Sequence, residues 1–165
     1  MKKYLFLVLF LSVPNNFLFA QVQSASACSD PEYNIIDFWL GSWKATWDGG
    51  EGTNTITKSH GGCVVNEDFR SPDLLGMSIS TYDRVSDQWR QTWMDNQGSY
   101  FSFYGIKDNK NYIFQTFPDP KDTRVLKRMV FTDIKKGSFT WLWQNTTDSG
   151  KNWQDAWKIK YTRLK

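Results

Sequence analysis

Ile36-Asp37-Phe38-Trp39-Leu40-Gly41-Ser42-Trp43 is the stretch of sequence that decides the fold. A bulky apolar segment runs directly into a glycine and a tryptophan, and Lys44-Ala45-Thr46-Trp47 continues from it. This order is typical of small β-barrels in which a short helical turn closes one end. Gly41 lets the chain turn sharply onto the first strand, and Trp43 then points into the floor of the barrel.

Strand-like runs continue to the end of the chain, each bounded by turn-forming residues. They are Ser42–Trp47, Gly52–Lys58, Cys63–Arg70, Gly76–Tyr82, Gln88–Asp95, Tyr100–Ile106, Tyr112–Phe117, Val125–Thr132, Ser138–Gln144 and Trp153–Thr162. No amphipathic stretch is long enough for a crossover helix, and closure into a barrel removes exposed edges. We therefore predict an all-β fold, a single antiparallel up-and-down barrel of about ten strands with a short N-terminal helical turn. Its last strand should pair with its first, so we expect Arg163 to cover Trp43.

The tryptophans support strands independently of these runs. They are evenly spaced in four sets: Trp39, Trp43 and Trp47; Trp89 and Trp93; Trp141 and Trp143; Trp153 and Trp157. Successive side chains of a strand point to opposite faces, so even spacing predicts that each set lies on one face of a strand. Spacing by four also suits a helix, but the Thr-rich, β-branched surroundings favour strands.

The first 20 residues have the features of a signal peptide. Lys2-Lys3 precedes an apolar run of about ten residues, Pro14-Asn15-Asn16 breaks the run, and Ala20 is a small residue suited to cleavage. The run is too short to span a bilayer. We therefore predict export to the periplasm or beyond. A second cleavage site at Ala25-Ser26-Ala27 would leave Cys28 at the N-terminus, and a lipid anchor there is the minor alternative.

The predicted mature chain is one domain of nearly neutral charge. Residues 21–30 form an N-terminal arm and residues 31–165 the barrel. Without Lys2 and Lys3, 18 basic and 17 acidic residues remain, so the net charge falls from +3 to about +1. This balance gives no electrostatic case for binding nucleic acid or an anionic membrane surface.

Cys28 and Cys63 are the two cysteines of the chain. In an exported protein they are most simply one disulfide, which would tie the arm to the third strand. A cysteine metal site or nucleophile is the weaker alternative, because no second soft ligand is near either in sequence. His60, the one histidine, lacks the neighbours that zinc or a catalytic triad requires. We predict no metal, no cofactor and no complete catalytic set.

Several short motifs occur in order along the chain. They are Pro31-Glu32-Tyr33 leading into Phe38-Trp39-Leu40-Gly41-Ser42-Trp43; Gly62-Cys63-Val64-Val65 with Glu67; Gly76-x-Ser78 with Tyr82-Asp83; Trp89-Arg90-Gln91-Thr92-Trp93-x-Asp95-Asn96-x-Gly98; Asp148-x-Gly150-Lys151-x-Trp153; and Tyr161-Thr162-Arg163. In these motifs the chain resembles, from Pro31 to Arg163, the bacterial exported family known as domain of unknown function 1579. The resemblance implies a lipocalin-like barrel with an inner cavity, and it implies no particular reaction.

The run Gln88–Asp95 holds the best candidates for a ligand site. Alternation places Trp89, Gln91, Trp93 and Asp95 on one face. Aromatic rings with an amide and a carboxylate suit a cavity wall that stacks a ligand and orients it by hydrogen bonds. In the alternative, the tryptophans belong to the core, and Gln91 and Asp95 satisfy loop amides near the strand ends.

Glu67 is the other candidate, because it shares the inward parity of Val65 on its strand. An inward carboxylate needs a partner, either a ligand or an arginine such as Arg90 or Arg128.

The sequence thus favours an exported, non-enzymatic barrel that binds a small apolar or aromatic molecule in its lumen. Two alternatives stay open. The barrel is an enzyme if Glu67 and Asp95 act on one ligand as acid and base, with one pKa raised by burial. It is an envelope interaction or structural protein if side chains fill the interior. The volume of the lumen distinguishes a binding protein from a filled barrel.

Overall fold

The computed structural model describes residues 28–108 and 110–165, which form a closed barrel of ten antiparallel strands. The strands are β1 Gly41–Trp47, β2 Gly50–Ser59, β3 Val64–Arg70, β4 Leu75–Asp83, β5 Gln88–Asp95, β6 Tyr100–Asp108, β7 Asn111–Thr116, β8 Leu126–Lys135, β9 Ser138–Thr146 and β10 Gln154–Arg163. Three short 3₁₀ turns accompany them: Pro31–Asn34, Asp37–Trp39 and His60–Gly62. Each strand pairs with its sequence neighbours, and β1 pairs with β10. The predicted fold class is confirmed.

The segment before β1 closes one end of the barrel. Ile36 and Trp39 are buried there, and Trp39 meets Phe131 edge to face at 5.2 Å between ring centroids. Trp39 lies in the second 3₁₀ turn, so the prediction that it shares a strand face with Trp43 is wrong. The Trp43 indole N–H instead donates a 2.7 Å hydrogen bond to the Trp39 carbonyl oxygen. Gly41, between them, has φ of 118°, a conformation that favours glycine.

Two register shifts mark further differences from the sequence prediction. β8 continues to Lys135, whereas the prediction ends it at Thr132, and a shift lies between these residues. In β10 a register shift just before Trp157 inserts one extra residue, so the residues before the shift point to the opposite face from the one that simple alternation predicts. The predicted common face of Trp153 and Trp157 is therefore wrong. Trp157 lines the lumen, and Trp153 lies before β10 with the Arg128 guanidinium 3.9 Å from its ring centroid.

Cys28 and Cys63 form a disulfide with a Cα–Cα distance of 5.1 Å, which links the arm to the residue before β3. A sulfur in a disulfide cannot carry a thioether-linked lipid, so the pairing counts against the lipid-anchor alternative. A disulfide fits an oxidising compartment. The predicted signal peptide and the second cleavage site at Ala25-Ser26-Ala27 lie outside the described residues. Within the described part of the chain, no helix is long and apolar enough to cross a membrane.

Candidate functional site

The end of the barrel opposite the N-terminal plug holds a cavity of about 180 Å³. Its aromatic lining consists of Phe69, Trp93, Phe101, Phe103, Trp141, Trp143, Trp157 and Tyr161, and its aliphatic lining of Leu74, Met129 and Ile159. Ile159 and Tyr161 lie buried at the inner end. Leu74 and Trp157 are partly exposed, so the cavity opens to solvent at the outer end.

The structure divides the residues that the sequence assigns to a ligand site. Those that line the cavity are Glu67, Trp93 and Asp95. Trp89 shares strand β5 with Trp93 but lies nearer the plug, where its indole N–H donates a 3.0 Å hydrogen bond to the carbonyl oxygen of Glu32. Gln91 lies between the two tryptophans in sequence and is buried behind the cavity wall rather than in it. The face that the sequence predicts is therefore shared between the core and the cavity.

Glu67 is the buried acidic group of the cavity wall, with 8% of its surface exposed. Its Oε1 accepts a 2.7 Å hydrogen bond from the Asn54 amide, and its Oε2 accepts one of 2.6 Å from the Ser78 hydroxyl. Burial raises the pKa of Glu67 to about 7, against the lowering effect of these two hydrogen bonds. The carboxyl group therefore titrates near neutral pH.

The expected arginine partner of Glu67 is absent from these contacts. The Arg90 Nε lies 4.0 Å from an Asp83 oxygen, and the Arg128 Nε donates a 2.6 Å hydrogen bond to Gln144. Both arginines occupy the outward phase of their strands. The pairing with Arg90 or Arg128 is therefore wrong, and neutral donors take its place.

A polar network continues from this carboxyl group toward the plug. The Gln91 amide donates to the hydroxyls of Ser78 and Ser80 at 3.1 and 3.0 Å. The Asn54 amide also donates to the Tyr161 hydroxyl at 3.3 Å. Among the described residues, the buried amide oxygens of Asn54 and Gln91 have no hydrogen-bond partner. Acceptors thus exceed donors in this part of the interior.

Asp95 lies at the cavity wall but serves the β5–β6 turn. Its carboxylate accepts a 2.9 Å hydrogen bond from the Trp93 indole and bonds of 3.0 Å from the backbone N–H groups of Gln97 and Ser99. Burial acts to raise the pKa of Asp95, but these hydrogen bonds outweigh it and lower the pKa below its ordinary value. This geometry agrees with the alternative in which Asp95 satisfies loop amides.

His60 lies far from this chemistry. It is exposed in the third 3₁₀ turn, at the plugged end, with its Nδ1 2.9 Å from the Ser59 hydroxyl. Among the described residues, no group of three His, Cys, Asp or Glu side chains could hold a metal ion.

Asn54, which contacts Glu67, and Tyr161, which contacts Asn54, are not among the site residues predicted from the sequence. A signal was present in the strand alternation. Asn54 shares its inward phase with buried Ile56, and Tyr161 shares its phase with buried Ile159. A polar group in an otherwise apolar inward series is the pattern that identifies such positions.

No protein-family model matches the sequence, and a comparison with curated proteins gives no match. The resemblance to the family of unknown function therefore stays a prediction.

Proposed function

We propose that this chain is a non-enzymatic barrel that binds a small apolar or aromatic molecule in its lumen. The observation that carries the proposal is the open cavity of about 180 Å³, walled by aromatic rings and with Glu67 in its wall. Concave apolar sites with a few convergent polar groups are the usual form of small-molecule sites. We further propose that the protein works outside the cytoplasm, which the Cys28–Cys63 disulfide supports.

The volume limits the ligand to a small molecule. An apolar protein cavity of roughly 150 Å³ accommodates benzene. A single ring, or a branched group of similar size, therefore matches the space, with a substituent extending through the open end. Rings that meet a ligand edge-on or offset contribute specificity beyond the buried area.

The two alternatives have less support. A filled interior is inconsistent with a cavity of this size at one end of the lumen. An acid–base pair requires both carboxyl groups to be available, and the Asp95 carboxylate is already engaged by Trp93 and two backbone N–H groups.

Calorimetric titration with a panel of small molecules tests the proposal. The panel is benzyl alcohol, 3,3-dimethylbutanol, choline and 3,3-dimethylbutyrate. We expect saturable binding of at least one member, and we expect Leu74→Trp to weaken it at least about tenfold by filling the mouth. Leu75→Trp is the matched control, because Leu75 is the next residue and is 47% exposed on the outer face of β4. No saturable binding across the panel would overturn the proposed function.

A further inference from the structure

The cavity wall has an unusual charge composition. Glu67 and Asp95 are the acidic side chains of the lining, and none of its described residues is Lys, Arg or His. The rest of the wall is aromatic or aliphatic. Aromatic faces carry partial negative charge, so a cation is favoured wherever a ring of this wall turns its face to the cavity.

We infer that the ligand of this cavity is a small organic cation with an alkylated ammonium group, held by the aromatic rings and neutralised by Glu67. The inference rests on the proposed function: it keeps the small-molecule site in the lumen and assigns to it a cation with an apolar, alkylated surface in place of a neutral apolar molecule. Alkylated ammonium ions are weakly hydrated compared with their size and bind well over aromatic faces. A buried carboxylate without a cationic partner is costly, and the ligand supplies that partner.

The surroundings of Glu67 support a cation rather than a neutral group. Its two direct partners, Asn54 and Ser78, are uncharged donors. Behind it, the oxygens of Asn54 and Gln91 are buried acceptors without a partner among the described residues. These two oxygens place further partial negative charge on the inner side of the cavity, where no described lining residue is an arginine or a lysine.

The loops around the open end add negative electrostatic potential to that of the cavity wall. Five loops of the barrel lie there, and together they carry five aspartates and three basic residues. The aspartates are Asp48, Asp73, Asp119, Asp122 and Asp148, and the basic residues are Lys121, Arg124 and Lys151. The predicted mature chain has a net charge of about +1, so these loops, with a net charge of −2, are more acidic than the rest of the barrel. Such an asymmetry draws cations toward the mouth.

Among the residues that the structure describes, Lys127 places a cationic group against one ring of this wall. Its Nζ lies 5.1 Å from the ring centroid of Phe101, although Lys127 itself does not line the cavity. An ammonium group thus lies within cation–π distance of one ring of the wall. Lys127 is also the group that an anionic ligand would use, so an anion is the rival outcome of the test.

The pH dependence follows from the groups that face Glu67. Asn54 on β2 and Ser78 on β4 do not titrate, and burial raises the pKa of Tyr161 on β10 above its usual range, so this phenol stays neutral. Asp95 on β5 stays ionised, because its pKa is lowered. Glu67, with a pKa of about 7, is then the group that changes charge near neutrality. A permanently charged cation should bind more tightly as the pH rises through 7.

Three probes of one shape isolate the charge of the ligand. Choline, 3,3-dimethylbutanol and 3,3-dimethylbutyrate share a branched head and differ in charge, and choline does not titrate. Each is titrated into the protein by calorimetry at pH 5.5 and pH 8.5. We expect choline to bind at least about tenfold more tightly than 3,3-dimethylbutanol at pH 8.5, and about tenfold more weakly at pH 5.5 than at pH 8.5.

Two variants connect the effect to Glu67. Glu67→Gln should remove the pH dependence of choline binding. Its affinity for choline should then lie within about threefold of its affinity for 3,3-dimethylbutanol. Asp68→Asn is the control, because it removes the same charge one residue away on the exposed face of β3, and it should leave both ratios unchanged.

The outcomes separate this inference from the proposed function. If the neutral probe 3,3-dimethylbutanol binds as tightly as choline or more tightly, the inference of a cationic ligand is overturned, but the small-molecule site remains. If 3,3-dimethylbutyrate binds more tightly than choline, and the Lys127→Met variant loses this binding, the cation inference is also overturned and the site binds an anion. Absence of binding by every probe, including benzyl alcohol, overturns the proposed function itself.

Discussion

The guanidinium of Arg163 lies over the indole of Trp43, with its central carbon 4.2 Å from the ring centroid. The two residues are directly paired between β10 and β1, and Trp43 is fully buried. The same guanidinium donates hydrogen bonds to the carbonyl oxygens of Leu40 at 2.9 Å and Lys136 at 3.3 Å. One side chain thus covers the plugged end and joins three segments of chain there.

Removing either member of this pair should destabilise the protein by different amounts. Trp43→Ala should lower the free energy of unfolding by about 3–5 kcal/mol, because it leaves a large cavity. Arg163→Ala should cost only about 1 kcal/mol, because the guanidinium is exposed. Arg163→Lys should not restore the wild-type value, because an ammonium group lacks the planar donors that reach both carbonyls. Urea unfolding followed by circular dichroism measures the stability of all three variants. If Trp43→Ala has the same free energy of unfolding as the wild type, the packing described for Trp43 is contradicted.

The raised pKa of Glu67 makes stability depend on pH. Below its ordinary value of 4.5 the carboxyl is protonated in both states and carries no penalty. As the pH rises from 4.5 to about 7, the unfolded chain ionises first, so the free energy of unfolding falls. Above 7 the penalty is complete at roughly 3 kcal/mol.

Glu67→Gln should remove this fall. The variant should match the wild type within about 1 kcal/mol at pH 4 and exceed it by a few kcal/mol at pH 8. Urea unfolding at several pH values between 4 and 8.5 provides the measurement, with Asp68→Asn as the exposed-charge control. Parallel curves for Glu67→Gln and the wild type would show that folding does not raise the pKa of Glu67.

The disulfide between Cys28 and Cys63 should contribute about 3–4 kcal/mol, since it closes a loop of 35 residues in the unfolded chain. Thiol labelling of the unfolded, unreduced protein from an oxidising host compartment should find no free cysteine. Cys28→Ser/Cys63→Ser should lower the midpoint of urea unfolding by the corresponding amount. Two reactive thiols in the wild-type protein would refute the pairing.

The sequence predicts the barrel and its inward faces well, because alternation in a strand is a local property. It does not predict how far along the barrel axis an inward residue lies, and therefore whether it packs under the N-terminal segment or lines the cavity. Trp89 and Trp93 share a face, but four residues of strand separate them by about 13 Å, so one lies under the plug and the other in the cavity. Alternation also fails to predict the face of a residue across a β-bulge, and for this reason Trp153 and Trp157 do not lie on one face. The hydrogen bonds from Asn54 and Ser78 to Glu67 join three strands, and no single strand pattern encodes such a contact.

Gly76 offers the last prediction, because it controls the position of Trp93 at the cavity. It lies opposite Asp95 in the β4–β5 pairing, and a β-carbon there would overlap the six-membered ring of the Trp93 indole. Gly76→Ala should therefore displace the indole, loosen its 2.9 Å hydrogen bond to Asp95 and change the shape of the mouth. Overpacking of this kind costs about 1–2 kcal/mol.

Binding should weaken several-fold in Gly76→Ala, measured by calorimetry with the probe that the wild-type protein binds. Gly137→Ala is the matched control, because a β-carbon at Gly137 meets nothing within 4 Å. That variant should keep wild-type affinity and stability within about 0.5 kcal/mol, as most surface changes do. If Gly76→Ala lost stability while affinity stayed at the wild-type value, Trp93 would be a structural residue of the rim, and the ligand would lie deeper, against Trp143 and Tyr161.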